Sequence, residues 1–196
     1  MSNRIKIVVP DAGPINTLAA AGKLELLLAP SNTDVVMIES VVNEILVRAP
    51  ELQAFFEQHA ARIKRVATSV CVDDRDKAAR GLPIGKGRGD LAIADFIMNF
   101  IDEAVGNAPA LVIFEDKKLG RLRTLEQYSA NTHFITTAAY LRKLEAEGII
   151  TSFDETWSEI VSKSHSSDPR LHREPNPQEI DAPAGSGSSV FRMRER

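Results

Sequence analysis

A single cysteine, Cys71, means that the chain cannot close a disulfide on itself, and it argues against a cysteine-built zinc site. Long apolar runs are missing too. Each is broken by charge within about a dozen residues, so no membrane span is expected. The amino terminus has no signal-peptide pattern, because polar Ser2, Asn3 and Arg4 lead straight into a strand. A cytoplasmic protein with no membrane partner is the expectation. Basic excess is also lacking: 24 Lys and Arg stand against 27 Asp and Glu, for a net charge of −3. Bulk attraction to nucleic acid is therefore excluded, and any contact with RNA or DNA requires a local basic patch.

Several familiar catalytic patterns are absent as well. His59, His133, His165 and His172 show no ligand spacing within one element and read as surface or locally hydrogen-bonded residues. No nucleophile elbow appears. Gly13 stands where a D-x-D phosphatase would carry its second acid. The stretch GLPIGKGRG, residues 81–89, is one residue short of a phosphate loop, and Gly87 occupies the position of the magnesium-binding hydroxyl. It reads as a flexible entry to the next helix, with Lys86 and Arg88 available to phosphates. No internal repeat is visible.

What is present is strand–helix alternation. Ile5 to Val9 is a short apolar, β-branched run closed by Pro10, and a helix follows in which Pro14 takes the first position and Gly13 the cap. Val35–Ile38 reads as a second strand, followed by helices over 41–48 and 51–61. Residues 63–72 have the composition of a further strand. A helix is expected over 90–105, a buried strand over 110–114, a helix over 118–127, a short strand over 134–136 and helices over 137–147 and 154–161. The fold class is α/β: a three-layer α/β/α sandwich with a central, mostly parallel sheet. Residues 1–163 form this domain. Residues 164–196, rich in Pro, Ser and Gly, have too little apolar surface to offset their ordering entropy, and they read as a disordered or partner-dependent tail.

Acids fall where such a sheet binds ligands. Asp11 and Asp116 follow buried strands, at the carboxyl edge where open α/β sheets carry their sites. Glu44 lies beside the apolar stripe of its helix. Asp90 shares a face with Ile93, Ile97 and Ile101, so it is either an inward carboxylate in need of a partner or the cap of its own helix. Asp95 and Asn99 fall on the opposite, solvated face. Three or four convergent carboxylates repel one another and favour a hard divalent cation, Mg²⁺ or Mn²⁺, of the kind that supports phosphodiester hydrolysis. Lys117, Lys118 and Arg121 after Asp116, and Lys86 and Arg88 before Asp90, are candidate phosphate-binding groups, with an ordinary solvated helix face as the alternative for the 117–123 run.

These stretches resemble the PIN-domain ribonucleases. VVPDAGPINTLAAAGKLELL is similar to their first strand and acid, IESVVNEIL to the segment with the second acid at Glu44, GRGDLAIADF to the helix start with the third at Asp90, and LVIFEDKKLGRL to the strand end with the last at Asp116. FITTAAYLRKLEAEGII is similar to the closing strand and helix of a PIN-like subgroup, so the resemblance spans residues 5–150. It implies a Mg²⁺- or Mn²⁺-dependent endoribonuclease whose catalytic and metal-binding acids are Asp11, Glu44, Asp90 and Asp116. It further implies RNA as substrate, a homodimer, and kinship with VapC-type toxins that an antitoxin protein inhibits. Two positions after the first acid the family often has a hydroxyl, and here that residue is Gly13. Glu115 is a competing carboxylate beside Asp116. Two other expectations stay open: a PIN-like scaffold that binds RNA or a protein without cutting, and a small-molecule-binding α/β protein.

Overall fold

The computed structural model describes residues 5–115 and 131–163. Asp116, Lys117, Lys118, Arg121, the 118–127 helix and the 164–196 tail lie outside the described residues. Five strands form one all-parallel sheet: β1 (Ile7–Pro10), β2 (Asp34–Ile38), β3 (Ile63–Val66), β4 (Ala110–Phe114) and β5 (Thr132–Thr136), in the order β3-β2-β1-β4-β5. The chain winds outward from β1 to β3, then crosses back and winds the other way through β4 and β5. That reversal is the doubly wound pattern, and its switch point lies between β1 and β4.

Every residue of β1, β4 and β5 is buried, and β2 is buried from its second residue on. Successive strand residues point to opposite faces, so both faces of the sheet are covered and the sandwich has three layers. The covering helices are α1 (Ala12–Ala20), α2 (Glu39–Arg48), α3 (Leu52–Gln58), α4 (Ser69–Ala79), α5 (Arg88–Asn99), α6 (Ile101–Val105), α7 (Thr137–Ala146) and α8 (Phe153–Lys163). No helix among the described residues is long and apolar enough to cross a membrane. Edge strand β3 is different: Lys64 and Arg65 in its middle are exposed.

Polar groups fasten the periphery to this core. Arg62 donates to the carbonyls of Leu28, Pro30 and Thr33 at 2.5, 2.5 and 2.9 Å, which fixes the turn into β2. Buried Tyr140 donates its hydroxyl to the Leu26 carbonyl at 3.0 Å, and burial pushes its pKa up, so it remains a donor. Glu159 of α8 lies 2.5 Å from Lys163 and 2.7 Å from Lys23 beyond α1. Hydrogen bonds from these two amines hold its carboxyl at about 2.

Several expected elements have shifted ends, among them α2, which starts at Glu39, and β5, which starts at Thr132, and three differences are informative. Residues 63–72 split into β3 and α4, because Val70 and Val72, though β-branched, are recruited into a helix whose start is held from outside. The 90–105 helix is interrupted at Phe100, which leaves helical geometry at φ −131° and separates α5 from α6. Helix α1 begins two residues earlier than expected. Asp11, not Gly13, takes the N-cap position, and Pro14 sits in the first turn.

Candidate functional site

The carboxyl edge of the sheet gathers the acids in two groups. At the switch point, Asp11 directly follows β1 and its backbone N–H extends the ladder to the Ile113 carbonyl at 2.8 Å. It is 3 % exposed. Asp11 occupies the N-cap position of α1, but its side chain makes no capping hydrogen bond.

Glu115 directly follows β4, one step along the same edge. The register pairs Phe114 with Thr136, so Glu115 arrives beside Thr137. Its Oε1 accepts hydrogen bonds from Thr17 at 3.1 Å and Thr137 at 2.9 Å. Both threonines are buried. The Glu115 side chain passes directly over Gly13, where an added Cβ would stand 2.5 Å from its Cγ. With Glu115 lying over it, position 13 has no room for a side chain. The rim's hydroxyls come instead from one helical turn later, Thr17, and from the start of α7, Thr137. Thr136 caps α7 by accepting from the Ala139 N–H at 3.1 Å, as a helix start at this point requires.

Glu44 and Asp90 form the second group. Glu44 is exposed on α2, and Asp90 is half-buried in the first turn of α5. Gly89 brings the two helices together: a Cβ there would stand 3.2 Å from Glu44 Oε2 and 3.3 Å from Val41 Cγ2. A side chain at 89 would crowd Val41 and Glu44, so glycine eases the close approach of α5 to α2. Gly87, at φ 74°, supplies the left-handed step into that turn.

Arg88 does not face outward to a phosphate. Its Nε donates to Asp74 Oδ1 at 2.5 Å, and its Nη2 reaches Asp73 Oδ2 at 2.5 Å and the Val70 carbonyl at 3.2 Å. Lys86 is exposed. Glu39, the first residue after β2, is paired with Arg75. Asp95 is also not the solvated residue expected. It accepts from Ser69 Oγ at 2.5 Å, Asn99 Nδ2 at 2.7 Å and the Val70 N–H at 3.3 Å, so it caps α4 from the neighbouring helix. Partial burial pushes its pKa up, but the hydrogen bonds from Ser69, Asn99, Val70 and Thr68 together hold it below its ordinary 3.8. A depressed folded-state pKa gives stability that is present above 3.8 and lost as the pH falls below it. Asp95→Ala should cost about 1 kcal/mol near neutral pH, the usual loss for a helix cap. Urea titrations of both proteins should converge on acidification, and a difference that persists unchanged below that range would contradict the assignment.

The acids that the structure describes are all-oxygen donors, the chemistry that suits a hard divalent cation. Among the described residues no three acid, histidine or cysteine side chains stand close enough together to hold a metal. They are arranged as separate groups along one edge. A cavity of about 450 Å³ lies at the opposite, amino-terminal edge, lined by Thr33, Leu111, His133, Lys143, Glu147 and Ile149 among others. His133, in β5, is buried there rather than at the surface. This is far in topology from the acids, and the switch-point edge is where this fold class places its chemistry.

The fold and the edge define a doubly wound, all-parallel α/β/α sandwich with carboxylates at its switch point. No protein-family model, curated protein or solved structure matches the chain.

Proposed function

We propose that this protein is a metal-dependent endoribonuclease acting at the carboxyl edge of the sheet. The observation that carries the reading is Asp11: a carboxylate buried at the switch point, directly after the central strand β1 and at a helix start. Asp11, Glu44, Asp90 and Asp116 are the residues that would hold Mg²⁺ or Mn²⁺. Such an ion supplies activation of water and neutralisation of phosphate charge. The chain's own contribution is placement. Thr17 and Thr137 fix the Glu115 carboxylate next to Asp11, and Gly89 fixes the approach of Asp90 to Glu44. Lys86, in the exposed 81–87 loop before α5, would meet a backbone phosphate, and Lys117, Lys118 and Arg121, which follow Asp116 in the sequence, are the further candidates for that role.

A protein partner also fits this edge. Val47, one turn beyond Glu44, is 85 % exposed, and Leu91, next to Asp90, is 53 % exposed. Exposed apolar side chains beside functional acids suit a covering partner such as an antitoxin, or a second copy of the chain.

The test is cleavage of a mixed RNA pool with Mg²⁺, with Mn²⁺ and with chelator, alongside a Mn²⁺ thermal-shift titration. Metal-dependent cutting and a rise in Tm are expected, because an ion that binds only the folded state stabilises it. No cutting and no shift at millimolar Mn²⁺ would replace this reading with a non-cutting scaffold.

A further inference from the structure

We infer that Arg88 is a positioning residue that sets where Asp90 stands, and is not a phosphate-binding residue of the RNA groove. The inference rests on the nuclease reading for the role of Asp90, but not for the geometry. The Arg88 side chain is 19 % exposed, and its guanidinium joins two carboxylates and one carbonyl, all from α4. A phosphate would have to displace contacts of 2.5 Å to Asp73 and Asp74 that already balance its charge.

The contacts run on from there. Asp74 Oδ2 accepts from Ser40 Oγ at 3.1 Å, and Ser40 lies in the first turn of α2, the helix that carries Glu44. Asp73 Oδ2 also takes Lys77 Nζ at 2.7 Å. About two and three turns further along α5, Asp95 and Asn99 close a second fastening, with Asp95 on the start of α4. Helix α4 thus grips α5 at two points and touches the start of α2 between them. The grip nearest the site falls two residues before Asp90. The preceding segment, residues 80–87, is exposed throughout and contains Gly81, Gly85 and Gly87. Without Arg88, nothing in that segment would oppose fraying of the first turn of α5.

The two roles predict opposite results for Asp74. If Arg88 bound phosphate, Asp74→Asn would release a competing carboxylate and lower the KM for RNA. Arg88→Ala would then raise KM and reduce the salt slope of RNA binding by about 1. As a positioning pair, both variants act in one direction. Each should lower kcat by about 10- to 100-fold and raise the Mn²⁺ concentration needed for half-maximal rate, with KM and the salt slope unchanged. Arg88→Lys should recover part of the loss. Independently of activity, amide hydrogen exchange over residues 88–92 should accelerate in Arg88→Ala and Asp74→Asn, with the β1 and β4 amides unchanged. Unchanged exchange over 88–92, or KM effects of opposite sign in the two variants, would overturn the inference. A wild type that cuts no RNA overturns the nuclease reading and leaves the exchange experiment to decide Arg88.

Discussion

Asp11→Asn should reduce metal-dependent RNA cleavage by at least about 100-fold while the protein stays folded, given the scale of loss when groups that hold or orient a metal are removed. The substitution keeps the shape of the side chain and the backbone bond from residue 11 to the Ile113 carbonyl at 2.8 Å. It removes one charge from a position that is 3 % exposed. The amide has the same shape and volume as the carboxylate, so the packing around position 11 and the fold should be retained. Circular dichroism and urea titration check the fold, and the cleavage assay checks the site. If Asp11→Asn cuts RNA at the wild-type rate, the switch point is not where the chemistry occurs. A variant that is inactive because it unfolds would point to a structural carboxylate instead.

The second large effect concerns Gly13. Gly13→Ala should destabilise the protein by roughly 1–3 kcal/mol, the usual range for overpacking a well-filled site. The added methyl would stand 2.5 Å from Glu115 Cγ. Because α1 is packed into the core at Ile15 and Leu18, the Glu115 side chain must yield. In yielding it gives up the hydrogen bonds from Thr17 and Thr137, two buried donors that then lack their carboxylate. The double variant Gly13→Ala with Glu115→Ala should cost less than the sum of the singles, since the clash disappears with the Glu115 side chain and the loss of the Thr17 and Thr137 bonds is counted in both singles. Additive losses in urea titration would mean that the methyl finds another place and that Glu115 is not what position 13 accommodates. Cleavage should fall in parallel with the displacement of Glu115 if that carboxylate contributes to the rim.

Much of the fold was legible because its central strands carry continuous apolar runs. ALVIF at 110–114 is a strand over those same residues. Asp11 could be placed at a strand end for the same reason. Helix α4 was not legible. Its sequence, SVCVDDRDKAA, has no clear apolar stripe, and its start is fastened by Asp95, 25 residues further on. The supports of Glu115 were hidden by distance along the chain, since Thr17 lies 98 residues away. One local signal existed: Gly13 and Thr17 are four apart and therefore share a face of α1. Arg88 looked like a phosphate ligand because its glycine-flanked setting does not reveal that Asp73 and Asp74 face it across a turn.

Strand β3 has a bearing on how copies of this protein can meet. It is four residues long, sits at an open margin of the sheet and points Lys64 and Arg65 to solvent. Two such margins brought together would set like charges side by side over too few backbone bonds to compensate. Extension of the sheet from molecule to molecule is therefore disfavoured along β3, which guards a concentrated solution against fibre-like stacking.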